Sequence, residues 1–302
     1  MRLITRADFD GLVCGAILME LGIIETWKFV HPKDLQDGKV EITEYDILAN
    51  VPFVKGCGLW FDHHASENER IGEEIIFDGL SHEADSAARI VYEYYGGIAE
   101  LPHLNDMITA VDKVDSGKLA IEDILTPKNW VLLGFILDPR TGIGRHEFSK
   151  GHWEFIESLM EDFCNYTIDE LIMLPDVAER VEFYHKQNNK FKEMIEQHTT
   201  TNQNIIITDL RGVDTIHTGN RFLIYSLYPQ QNISIWIVDG LQGFVTFAVG
   251  HSIINRTSNV DVGHIMLELG GGGHVKVGTC QVPHEKADET CETIINRILQ
   301  EN

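Results

Sequence analysis

Short apolar segments recur through the first third of the 302-residue chain and alternate with helical stretches. Residues 1–4 (MRLI), Thr26–His31, Asp46–Ala49 and Leu59–Phe61 read as strands. Gly11–Leu21 is rich in Ala, Leu and Ile and reads as a helix; Ala84–Tyr95 has helical spacing at Ala88, Val91, Tyr92 and Tyr95. Strands separated by crossover helices predict a parallel sheet covered on both faces. In such sheets polar loops at the carboxyl ends of the strands carry the chemistry.

Residues 102–198 read as mostly helical. Val177, Val181, Tyr184, Asn188, Phe191, Ile195 and His198 form one continuous stripe, which predicts a long helix over Asp176–His198, with Pro175 suited to its first turn. Thr199–Asn204 (TTTNQN) reads as a polar break and a domain boundary. Beyond it, Asn204–Asp209, Ile233–Asp239 and Phe244–Val249 predict strands, and Val262–Leu269 and Ala287–Leu299 predict helices. The expected class is therefore α/β, with a parallel-sheet N-terminal domain, a helical connector and a smaller α/β C-terminal domain.

Charge narrows the partners. With 24 Lys plus Arg against 47 Asp plus Glu, the net charge of −23 disfavours long duplex nucleic acid and anionic membranes. Short anionic substrates stay open, because a bound cation can reverse the local field. No apolar run approaches the ~20 residues of a membrane span. MRLITRADFD has no signal h-region, and the five cysteines are odd in number and never spaced CxxC. A cytoplasmic chain with reduced thiols is expected, and a homodimer is compatible with the sequence.

Four motifs can carry chemistry. Asp8-Phe9-Asp10-Gly11 follows the first strand; its carboxylates can converge on a divalent cation, or cap a helix. Leu59-Trp60-Phe61 delivers Asp62-His63-His64 at a strand end, and carboxylate with imidazole suits manganese, iron or zinc. The two histidines are expected to do different jobs, since neighbours on a strand face opposite ways. Asp112 and Asp115, at i and i+3, share a helical face, and either could reach a metal. Gly270–His274 offers backbone N–H groups to an anion, with Arg256 upstream as a guanidinium for phosphate. Arg140 and Arg145, in a Gly-containing loop, could hold a terminal phosphate; a surface loop is the alternative.

An N-terminal DxD, a strand ending in Asp-His-His, a later Asp motif and a C-terminal GGGH, in this order, resemble the DHH phosphoesterase superfamily over most of the chain. The resemblance implies a DHH catalytic domain with helical connector over 1–185 and a DHH-associated substrate-binding domain over 200–302, gripping substrate across a cleft. It implies Asp8, Asp10, His63 and Asp112 or Asp115 as metal ligands, for one or two Mn2+ or other divalent ions. It implies His64 and Asp62 as catalytic, and Arg256, Gly271, Gly272, Gly273 and His274 as substrate-binding, with Arg140 added from its loop. Many members carry a His four residues before the first motif Asp, where this chain has Ile4. The acid that bridges two metals should end the strand before Asp62, and here Asn50 stands there. Arg6 could partly replace the charge of a lost ion.

The reaction implied is hydrolysis of phosphodiester or phosphomonoester bonds in small nucleotides: a dinucleotide, cyclic dinucleotide, short oligoribonucleotide or nucleotide bisphosphate. The rivals are an exopolyphosphatase, needing phosphate contacts alone, and a catalytically weakened nucleotide sensor, favoured by Ile4 and Asn50.

Overall fold

The computed structural model describes residues 1–64, 67, 70 and 75–301. The chain divides into two compact units. The first comprises Met1–Lys118 and Thr126–Tyr184; the second comprises Leu119–Leu125 and His185–Asn302.

The first unit is built on a parallel sheet of β1 (Arg2–Thr5), β2 (Thr26–Phe29), β3 (Asp46–Ala49), β4 (Leu59–Asp62) and β5 (Gly79–Ser81), in the order β2-β1-β3-β4-β5. The helices are α1 (Phe9–Glu20), α2 (Pro32–Gln36), α3 (Ala87–Tyr94) and α4 (Asn105–Asp115), then α5 (Ile121–Leu125) of the second unit. There follow α6 (Asn129–Leu137), α7 (His152–Asn165), α8 (Ile168–Met173) and α9 (Pro175–His198). The central strands are buried on both faces: Leu3, Ile4, Ile47, Leu48, Trp60 and Phe61 have no exposed surface. That is why they read as apolar runs rather than alternations. Gly11 begins α1 against the end of β1, where a Cβ would lie 2.2 Å from the Arg6 carbonyl oxygen. A glycine there brings the helix N-terminus close to the strand end, with Asp8 and Asp10 on either side of the turn.

The stripe of α9 buries Val177, Tyr184, Phe191 and Ile195 as the spacing predicts. The division between the units falls inside this helix, after Tyr184. The segment Thr199–Asn204 is not a break. Thr199–Asn202 is strand β6, paired antiparallel with β7 (Ile205–Asp209). Its threonines give no apolar signal because it is an edge strand with little buried surface.

The second unit has a six-stranded sheet in the order β10-β11-β9-β8-β7-β6, with β8 (Ile233–Asp239), β9 (Phe244–His251), β10 (Gly272–His274) and β11 (Val277–Pro283). It also holds α10 (Leu223–Leu227), α11 (Val262–Glu268) and α12 (Ala287–Glu301). Ile205, Ile235, Phe247 and Val249 from the sheet pack with Ile265, Ile294 and Ile298 from α11 and α12.

Candidate active site

The site grows from the carboxyl ends of β1 and β4 and the end of α4. Asp8 has extended backbone (φ −134°) and caps α1, its Oδ1 accepting from the Gly11 N–H at 3.0 Å. Both oxygens of Asp10, which is 2% exposed, accept main-chain N–H bonds at the start of α3, from Ala87 (2.9 Å) and Ala88 (2.7 Å). The positive end of a helix dipole thus meets a buried carboxylate. Ser86 caps α3 through its hydroxyl.

β4 ends at Asp62, and the two histidines that follow part company. His63 Nδ1 donates to the Ala84 carbonyl (3.1 Å), which leaves the lone pair on Nε2. That Nε2 is buried, has no hydrogen-bond partner among the described residues, and lies 3.8 Å from Asp10 Oδ2 and 3.4 Å from Asp115 Oδ2. His64 Nδ1 donates instead to Asp62 Oδ1 at 2.9 Å. Asp62 therefore orients His64, while a carbonyl fixes the tautomer of His63. Burial works against an imidazolium at His64, but the Asp62 hydrogen bond and the charges of Asp62, Asp115 and Asp10 prevail and hold its pKa above the usual value.

Asp10, His63 and Asp115 each offer one donor atom within 4.8 Å of the others. Burial, then the charges of Asp115 and Asp8, push Asp10 up to about 7 against the opposing effect of His63. Asp115 is a third exposed, yet desolvation, with the Asp8 charge, raises its pKa too. Two carboxylates and an imidazole nitrogen with no hydrogen-bond partner among the described residues form a donor set that suits a cation. Oxygen and nitrogen donors fit a divalent first-row metal, and the orphaned Nε2 has the geometry of a ligand.

The remaining expected residues fall elsewhere. Asp8 lies outside this trio: besides capping α1 it accepts from Asn50 Nδ2 (3.0 Å) and pairs with Arg6 Nε (2.9 Å). Asp112 is not gathered with the trio either. It pairs with Arg89 Nε (2.9 Å) and accepts from Ser86 Oγ (2.7 Å), whereas Asp115, at the last position of α4, faces His63. Arg140 is half of an ion pair with Asp138 (2.7 Å), and the fields of Asp115 and Asp8 help to keep it charged against desolvation. In the second unit Gly272–His274 is strand β10 rather than a loop. A Cβ at Gly271 or Gly273 would meet the backbone of β11 at 2.0 and 2.3 Å, so these two glycines serve close strand packing. His274 is exposed, and Arg256 Nε donates to the Ile253 carbonyl.

A pocket beside the trio is lined by Arg6, Gln36, Asn50, Asp62, His64 and Glu67. A wider concavity around Glu25, Glu41, Thr43 and Tyr45 lies at the amino ends of β1–β3 and encloses the Arg2–Asp46 ion pair, not a metal-ligand set. Sequence reasoning missed Ala84, Ser86 and the N–H groups of Ala87 and Ala88. The Asp-Ser pair before an alanine-led helix was the available signal, a helix N-cap pointing at the site.

The Asp-His-His at the end of β4, together with full-length likeness to a known phosphodiesterase, places the chain in the DHH superfamily of phosphoesterases, to which it belongs as a hydrolase. Over its whole length it is 43% identical to a pGpG-specific phosphodiesterase, PggH of Vibrio cholerae, with a TM-score of 0.87 and 100% and 99% of the two chains covered. The DHH domain of a member of a family of ribosomal proteins shares the fold at 14% identity (TM-score 0.56, covering 100% of this chain and 87% of that one). So does an exopolyphosphatase-related protein of Bacteroides fragilis at 11% identity (TM-score 0.52, 99% and 91% covered). No protein-family model and no curated protein matches the sequence.

Proposed function

We propose that this chain cleaves the single internucleotide bond of pGpG, or of a closely similar short linear dinucleotide, giving two mononucleotides. The observation that carries the reading is the 43% identity to a pGpG-specific enzyme over the full length of both chains. The trio supports it as the place of reaction. Asp10, His63 and Asp115 would hold a divalent ion, manganese being the first to test. Such an ion supplies Lewis acidity toward a phosphoryl oxygen and makes water a stronger acid. The N–H groups of Ala87 and Ala88 hold the Asp10 carboxylate in place, and the Ala84 carbonyl keeps the His63 lone pair on Nε2. His64, oriented by Asp62, which also raises its pKa, supplies a proton to the leaving oxygen or counters charge developing on the phosphoryl group. In the second unit Arg256, with Gly272 and His274, is the proposed grip on a phosphate or base, and Arg140 a further phosphate contact.

Product release from pGpG, a cyclic dinucleotide, a nucleotide bisphosphate and polyphosphate tests the reading. Mononucleotide from pGpG well ahead of all others is expected. Preference for polyphosphate would make the chain an exopolyphosphatase, and binding of pGpG without turnover would make it a sensor.

A further inference from the structure

The trio that fits a cation leaves Asp8 out, and the contacts of Asp8 explain why. Its Oδ1 accepts from both Gly11 N–H and Asn50 Nδ2 at 3.0 Å, and its Oδ2 faces Arg6 Nε at 2.9 Å. Each oxygen is therefore engaged, and the charge has a partner. A second ion on Asp8 would have to displace a guanidinium and an amide donor and leave that guanidinium beside it.

Asn50 adds to the exclusion. It turns the chain out of β3 at φ +56°, a left-handed position that Asn tolerates, and is 1% exposed. Its Nδ2 points at Asp8, so the amide presents a donor where an ion needs an acceptor. Its Oδ1 is buried with no partner among the described residues, but an amide oxygen brings no charge. Ile4, on the strand leading to Asp8, is fully buried in an apolar cluster and offers no ligand. Charge balance agrees. Asp8, Asp10 and Asp115 contribute three negative charges; Arg6 and one divalent ion contribute three positive. A second divalent ion would leave two uncompensated positive charges in a partly desolvated centre, an expensive arrangement.

We propose that this centre holds a single divalent ion, on Asp10, His63 and Asp115, and that Arg6 occupies the place of a second as a built-in cation. The proposal rests on the assignment of the trio as a metal centre, but its test does not depend on turnover. Manganese titration by calorimetry, with electron paramagnetic resonance of the loaded protein, reads the number of ions directly. One tight ion per chain with the hyperfine pattern of isolated Mn2+ is expected. In the double variant Arg6→Ala/Asn50→Asp, which restores a free carboxylate pair and removes the guanidinium, the stoichiometry should rise from one to two and the spectrum should show exchange coupling. Two coupled ions in the wild type would overturn the proposal whether or not pGpG is hydrolysed. A double variant that folds, by circular dichroism, and still binds one ion would overturn the role given to Arg6 and Asn50. Absence of manganese binding in the wild type would overturn the metal centre itself. Hydrolysis of some other substrate by a one-ion enzyme would leave this proposal standing and overturn only the substrate.

Discussion

His64 and Asp10 show how neighbours decide what a side chain can do. Asp62 orients His64 and raises its pKa; if His64 acts as the proposed acid, His64→Gln should lower kcat by roughly 10²–10⁴ while manganese stoichiometry stays at the wild-type value. Loss of the ion in that variant would mean that His64 is a ligand. In the metal-free protein Asp10 is pushed up to about 7 from an ordinary 3.8, and His64 is raised above 6.5. Each shift lets the folded chain bind a proton that the unfolded chain has released, so stability falls as pH rises through the window. For Asp10 that window runs from the ordinary value to about 7; for His64 it lies above 6.5. The gap in melting temperature between manganese-loaded and chelator-treated protein should therefore widen from about pH 5.5 to about pH 7.5. Asp10→Asn should flatten the pH slope of the chelated form. Thermal scans at both pH values check this, and an unchanged gap would contradict the account.

At the scale of elements, α3 is the support on which the site rests. Asp112 anchors Ser86 and Arg89, Ser86 caps α3, and the first N–H groups of α3 hold Asp10. Asp112→Ala should thus act through position rather than ligation. We expect a loss of about 1–3 kcal/mol in unfolding free energy from the stranded Arg89. Manganese affinity should weaken by roughly 10–100-fold with stoichiometry kept, as for a group that orients a ligand. Loss of the ion altogether, read by calorimetry, would return Asp112 to the ligand set. The elements differ in how far the sequence shows them. β3 and β8 have the bounds that their apolar runs predict, because they are buried strands flanked by polar turns. The α9 stripe is equally legible, though the sequence gives no sign that Arg180 would lie buried among it, stacked on Phe148 and Phe155. β5, β6 and β10 are short edge strands, and their Gly, Ser, Thr and Asn residues carry no apolar pattern. In the site, the motifs mark Asp10 and His63, but the choice between Asp112 and Asp115 depends on where α4 points, which three-dimensional packing alone decides. The pairing of Asp8 with Arg6 and Asn50 was equally beyond periodicity, since Asn50 lies forty-two positions away from Asp8.

For the molecule as a whole, a net charge of −23 repels polyanions, so the proposed reading gives substrate attraction to a local cation and a few placed arginines. Among the described residues no helix is long and apolar enough to cross a membrane. Arg256→Ala should raise KM for pGpG by roughly 10–150-fold, the worth of one hydrogen bond to a charged group, and leave manganese stoichiometry intact. An unchanged KM would mean that the substrate is held without Arg256. If Asp10, His63 and Asp115 form the metal centre at which a dinucleotide is cut, hydrolysis depends on His63 and on the ion together. The most direct measurement is pGpG hydrolysis by wild type and His63→Ala, each stripped of metal and titrated with manganese, with bound ion counted in the same samples. Activity in the wild type should vanish with chelator and return with manganese, whereas His63→Ala should bind no tight ion and lose at least ~10²–10³ in rate. A His63→Ala protein that still holds manganese and hydrolyses pGpG at the wild-type rate would contradict the account.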